Sequence, residues 1–180
     1  AFLHHLSKSV LAILAHIHGR ARVFLERFQA LENISELGFE HVENGIVIDN
    51  STHGNDATML NFTANVTTTG IRGQGIKFDG IGDMLEIDPG PFNQDEPDGF
   101  SGSAWFKMDS LKEQMVFERF ASNFDMQISS GGGIYCRIRN SSSDMVTTSS
   151  YGSLTVDIWY HAVCVYNATN DLLSLYLNGV

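Results

Sequence analysis

From about residue 39 onward, the apolar residues of this chain recur at every second position, in short runs separated by Gly, Asn, Asp and Ser. That period limits the possible folds sharply, because successive side chains of an extended strand point to opposite faces. In IYCRIR at 134–139, Ile134, Cys136 and Ile138 take one face and Tyr135, Arg137 and Arg139 the other. GIKFDG at 75–80, DMLEID at 83–88, SAWFKM at 103–108 and MQIS at 126–129 read as further strands. WYHAVCVY at 159–166 and LLSLYLNG at 172–179 close the series. Short Val-, Ile-, Phe- and Tyr-rich runs bounded by turn residues predict an all-β, antiparallel sandwich. No long helical pattern interrupts them, which argues against a parallel α/β sheet.

The first residues read differently. Residues 1–28 carry four basic residues against one acidic, whereas residues 29–180 carry seven basic against twenty acidic. Leu3, Val10, Ile17, Phe24 and Leu31 recur every seven positions, with Leu6, Ile13, Leu14 and Phe28 at companion offsets. This spacing predicts an amphipathic helix over 2–31, weakest at Gly19, within a segment 1–34 that precedes a β domain at 39–180. Such a helix packs on a neighbour, pairs with a partner helix in an oligomer, or serves a membrane-surface or targeting role. Its apolar run VLAILA at 10–15 is too short to span a bilayer. With a formal charge of −10 over 180 residues, the chain is unsuited to neutralising phosphates, so nucleic acid is a poor partner. Ala1 and the terminal LYLNGV give the chain the look of a fragment of a longer protein.

The order of signals is more specific than the fold class. IVIDNSTHGNDATM at 46–59 is followed by GIRGQGIKFDGIGDMLEI at 70–87, GFSGSAWFKM at 99–108 and DIWYHAVCVYNATNDLLSLYLNG at 157–179. This order resembles the laminin-G-like domains of the concanavalin A-like lectin/glucanase superfamily, in the branch close to the pentraxins. The resemblance implies a jelly-roll sandwich, incomplete at its C-terminal end. Trp105 and Trp159 are expected to pack in the core, although a sugar-stacking role is open to them. Pentraxins bridge the strand equivalent to 101–106 to the position of Cys164. Here Ser101 and Ser103 stand in that strand, and the second cysteine is Cys136. A Cys136–Cys164 disulfide is therefore not inherited from the pattern, and one bridge or two buried thiols both remain open.

Glucanases of this superfamily carry Glu-x-Asp followed by a second Glu, to supply a nucleophile and an acid/base. This chain offers Glu86 and Asp88, but Pro89-Gly90-Pro91 stands where the third carboxylate belongs. The expectation is no enzyme, with His161 packing at a strand edge. Calcium is the better-motivated cofactor, since hard cations take loop oxygens. Its candidate ligands are Asp49, Asn50, Asn55 and Asp56 in one Asx-rich turn, and Asp79 and Asp83 in another, although Asx residues also build turns by bonding their own backbone. Sequons at Asn33, Asn50, Asn61, Asn65, Asn140 and Asn167 point to a glycosylated extracellular chain. The reading is a non-catalytic extracellular binding or adhesion module for glycan or protein within a larger protein. Its rivals are a carbohydrate-binding module attached to a glycoside hydrolase, a glycosidase of the same fold, and a pentraxin-like oligomer assembled through residues 1–31.

Overall fold

The computed structural model describes residues 23–29, 36–63, 66–87, 99–119, 124–139 and 145–180. Their regular secondary structure is β-strand only. In chain order these are β1 (Val23–Gln29), β2 (Glu36–Glu43), β3 (Ile46–Asp49), β4 (Ala57–Leu60), β5 (Thr67–Thr69), β6 (Gln74–Lys77) and β7 (Met84–Ile87). There follow β8 (Gly99–Met108), β9 (Gln114–Arg119), β10 (Phe124–Ile128), β11 (Gly133–Arg139), β12 (Met145–Ser153), β13 (Trp159–Asn167) and β14 (Leu172–Leu177). The larger sheet runs β14-β13-β8-β1-β2-β3-β4-β7, with β6 pairing both β1 and β5; the smaller runs β12-β11-β10-β9. Every strand pair described is antiparallel, as between β8 and β13, where His161 faces Trp105 and Ala162 faces Ala104.

Local chemistry explains the connections. Asn44 and Gly45 both have positive φ, 52° and 79°, and join Glu43 of β2 to its partner Ile46 of β3 in a two-residue turn. This conformation matches the twist of a hairpin and costs Asn and Gly little. Gly132, at φ 79°, closes the turn between β10 and β11, where its N–H donates to the carbonyl of Ser129.

Alternation decides the core. In β8, Gly102, Ala104, Phe106 and Met108 are buried, and the residues between them are partly exposed. Phe39 and Phe106 from the larger sheet, Phe78 just after β6, and Phe117 and Phe124 from the smaller sheet are fully buried. The last two rings pack with centroids 5.5 Å apart. Cys136 of β11 and Cys164 of β13 form a disulfide between the two sheets, with Cα atoms 6.2 Å apart. The open choice between bridge and free thiols thus resolves to a bridge.

Three expectations need correction. Residues 23–29, at the end of the expected 2–31 helix, form β1 instead; residues 1–22 lie outside the described residues. The physical reason is pairing: β8 lies along one side of β1, and β6 and then β2 along the other. Three partners saturate its backbone in a way a heptad pattern with few members in this stretch cannot match. The two tryptophans are not core residues. Trp105 alternates with buried Ala104 and Phe106, so it stands on the outer face of the larger sheet, and Trp159 faces Lys107 on that same side. Finally, His161 is on no edge, because β13 runs between β14 and β8.

Candidate functional site on the outer face of the smaller sheet

The five residues of β10 are all buried, although Asp125 and Gln127 point away from the core that Phe124, Met126 and Ile128 enter. Burying such groups is costly unless they are bonded. Their partners come from β11, where Tyr135 and Arg137 alternate with buried Ile134, Cys136 and Ile138. Register places Asp125 opposite Arg137 and Gln127 opposite Tyr135. Arg137 Nε donates to Asp125 Oδ1 and Nη2 to Oδ2, each at 2.9 Å. Nη2 also donates to Gln127 Oε1 at 2.6 Å, and Gln127 Nε2 donates in turn to Glu113 Oε1. The guanidinium carbon lies 5.1 Å from the centre of the Tyr135 ring, within reach of a cation–π attraction.

This network is a rigid polar surface. Burial alone would lower the Arg137 pKa, but the hydrogen bond and charge of Asp125 outweigh it and hold the guanidinium above its ordinary value. Burial raises the Tyr135 phenol, with Arg137 pulling the other way, so its O–H remains a donor at neutral pH. Both Asp125 oxygens are taken by the guanidinium, so this carboxylate is not offered to a glycosidic oxygen as an acid or nucleophile. Among the described residues Arg137 Nη1 has no partner. The surface therefore presents one free edge of a fixed guanidinium, a phenol and the exposed Glu113 carboxylate.

The residues singled out from sequence fall elsewhere. Asp49 is buried; its Oδ1 accepts from Ser51 N–H, and its Oδ2 from Ser51 Oγ and Asn55 N–H. Asp56 Oδ1 accepts from Asp49 N–H, and Asn50 is exposed beside them. At the second turn, Asp79 Oδ1 accepts from Ile81 N–H and Asp83 Oδ2 from Asp79 N–H. The two turns lie at opposite ends of β4, one next to Ala57 and the other next to the Leu60–Met84 pair. The expected calcium ligands thus do not converge on one point. Among the described residues, no group of three or more His, Cys, Asp or Glu side chains is placed to hold a metal ion. Asp83 is 4% exposed and its Oδ1 is buried without a hydrogen bond. Burial raises its pKa, the Asp79 N–H lowers it, and the Asp79 carboxylate raises it again.

Glu86 is exposed on β7 between buried Leu85 and Ile87, and Asp88 lies outside the described residues. His161 stacks on Trp105, ring centres 5.0 Å apart, and burial lowers its pKa. Lys107 Nζ sits 5.4 Å from the Trp159 ring centre. One flank of each indole is therefore covered by a neighbour. Of the sequons, Asn50 and Asn61 are exposed and Asn167 is half-buried; Asn33, Asn65 and Asn140 lie outside the described residues. Asn61 Nδ2 donates to the Gly82 carbonyl, and Asn167 Oδ1 accepts from Thr169 N–H.

The Arg137 network was not anticipated, although FDMQI and IYCRIR both alternate apolar with polar residues. A hairpin across the intervening SSGGG would have set Asp125 against Arg137. Among the described residues, no helix is long and apolar enough to cross a membrane. Comparisons with curated proteins and with solved structures gave no match. The family model described as the concanavalin A-like lectin/glucanases superfamily, of laminin G type, matches residues 79–180. That span is more than half of the chain and holds all four strands of the smaller sheet together with β8, β13 and β14. The chain therefore belongs to the laminin G-like family of the concanavalin A-like lectin/glucanase superfamily.

Proposed function

We propose that this domain is an extracellular, non-catalytic binding module that engages a glycan or protein ligand on the outer face of its smaller sheet. The observation that carries the proposal is the Asp125–Arg137–Gln127–Glu113 network. Fixed polar groups of this kind outside the core lower the ordering cost of binding, because they are already held in place. Laminin G-like domains are typically binding modules, and the outward-facing network gives this one a surface for the task. Extracellular placement is supported by the disulfide, which persists in oxidising compartments, and by the sequons. Membership of a larger adhesion protein belongs to the same reading.

The test is binding of the oxidised, folded domain to a glycan array and to purified extracellular matrix proteins, beside a Tyr135→Ala, Gln127→Ala variant. We expect a ligand that the wild type retains intact and the variant loses. Release of a shortened sugar by the wild type would overturn the non-catalytic reading. Undiminished binding by the variant would overturn the choice of surface.

A further inference from the structure

We infer that Asn167 is N-glycosylated in preference to Asn50 and Asn61, and that its glycan covers the apolar outer face of β13 and β14. This inference rests on the extracellular placement proposed above and is independent of the ligand and of the Arg137 surface.

The argument begins with what each carboxamide nitrogen is doing. Asn61 Nδ2 donates to the Gly82 carbonyl at 2.9 Å, and the middle residue of its sequon, Phe62, packs its ring 5.4 Å from that of buried Phe78. The nitrogen that a sugar has to reach is therefore held against a second segment of the chain. Asn50 Nδ2 lies over the backbone of β2, since a Cβ on Gly38 would be 2.5 Å from it. Both residues are more exposed than Asn167, but the free nitrogen is what decides. Asn167 is fixed by its oxygen instead. Oδ1 accepts from the Thr169 N–H at 2.9 Å, an Asx turn that brings the backbone of the third sequon residue onto the carboxamide. Nδ2 makes no hydrogen bond among the described residues. Its partner on β8 is Gly99, which has no side chain to cover it.

The modification joins Nδ2 to the anomeric carbon of an oligosaccharide carried on a lipid diphosphate. The C–N bond forms as the C–O bond to phosphate breaks. The diphosphate leaves with that electron pair, and one Nδ2 proton passes to a base of the transferase.

Register shows what the glycan meets. Asn167, Val165 and Val163 share the outer face of the larger sheet, opposite Leu172, Ser174 and Tyr176 of β14. Leu172 is 53% exposed and Tyr176 45%, and the two valines are half-buried. Among the described strands β14 is the outermost of this sheet, so an apolar face and an unpaired edge coincide. That combination invites a second copy to pair. A bulky, hydrated glycan beside Leu172 occupies the same space and prevents it.

The test secretes the chain from cultured animal cells behind a cleavable signal sequence. Peptide N-glycosidase in heavy-oxygen water then converts each glycosylated Asn to a labelled Asp for mass spectrometry. We expect the label on Asn167 in most molecules and on Asn50 and Asn61 in few. Thr169→Ala removes the sequon but keeps the backbone N–H of the Asx turn, and Thr169→Ser keeps both. In sedimentation at equal concentration, the wild type and Thr169→Ser should remain monomeric while Thr169→Ala shifts to larger species. Leu172→Thr with Tyr176→Thr should return Thr169→Ala to monomer. An oxidised, secreted chain with Asn167 bare, or with Asn50 or Asn61 labelled more fully, would overturn the site and leave the extracellular module standing. Label on Asn167 with Thr169→Ala still monomeric would overturn the covering role. Retention in the cell with the cysteines unbridged would overturn the extracellular placement and this inference with it.

Discussion

Removing the Cys136–Cys164 bridge should cost this fold a large share of its stability, and the size follows from the chain. The two cysteines are 28 residues apart, and between them lie the ends of β11 and β13 and all of β12. Their Cα separation of 6.2 Å falls within the ordinary range of about 4.4–6.8 Å, so the sheets need not shift to form the bond. Closing a loop of this length removes about 3–4 kcal/mol of conformational entropy from the unfolded chain. Both sulfurs are fully buried, so a Cys136→Ala, Cys164→Ala variant adds cavity loss to the entropic one. At roughly 2–4 °C per kcal/mol for a chain of this size, the midpoint should fall by roughly 7–14 °C or more. Calorimetry of the wild type, with and without reductant, beside the alanine variant measures it. Reduction of the wild type should reproduce most of the loss seen in the variant. A variant within about 1 kcal/mol of the oxidised wild type would refute the reasoning, because the entropic term alone is larger than that.

Gly99 has φ of 113°, and a Cβ there would lie 2.1 Å from the Tyr166 carbonyl oxygen, so Gly99→Ala should destabilise by at least about 2 kcal/mol in urea unfolding. Asp83→Asn should stabilise the domain at pH 7 in EDTA by about 1 kcal/mol, since it removes a buried ionised group with a partnerless oxygen. The folded pKa is raised, so the cost of ionisation is full above that pKa and vanishes as pH falls below the unfolded value, and the gain should disappear in acid; a calcium-induced rise in wild-type midpoint that Asp83→Asn abolishes would assign the oxygen to an ion instead. His161 titrates below its ordinary value of 6.5, so stability should fall as pH drops through 6.5 and level off below the folded pKa. NMR titration of its imidazole should place the midpoint below 6.5, and His161→Phe should flatten that part of the pH profile.

What could be read from the sequence was what adjacent residues determine. IYCRIR announces its two faces because the alternation is local, and β11 buries Ile134, Cys136 and Ile138 as expected. The strand at 23–29 was hidden because its partners, Lys77 in β6 and Met108 in β8, are distant in the chain and their backbones compete with a local helical pattern. The tryptophans show a second limit. In SAWF both Trp105 and Phe106 are apolar, so alternation says that one faces outward without saying which. The Asx residues marked out as ion ligands accept hydrogen bonds from the backbone of their own turns, a second role that their spacing permitted equally. Arg137 and Asp125 carried no motif, and their meaning emerges only once the hairpin register sets them face to face.

Which face of the sandwich meets the ligand decides whether the Arg137 network is the binding surface. Amide chemical shifts of the isotopically labelled domain, followed as the glycan or matrix protein that it retains is added, read this directly. The largest changes should cluster at Glu113, Asp125, Gln127, Tyr135 and Arg137. Changes centred instead on Trp105, Trp159 and His161, across the larger sheet, would contradict it.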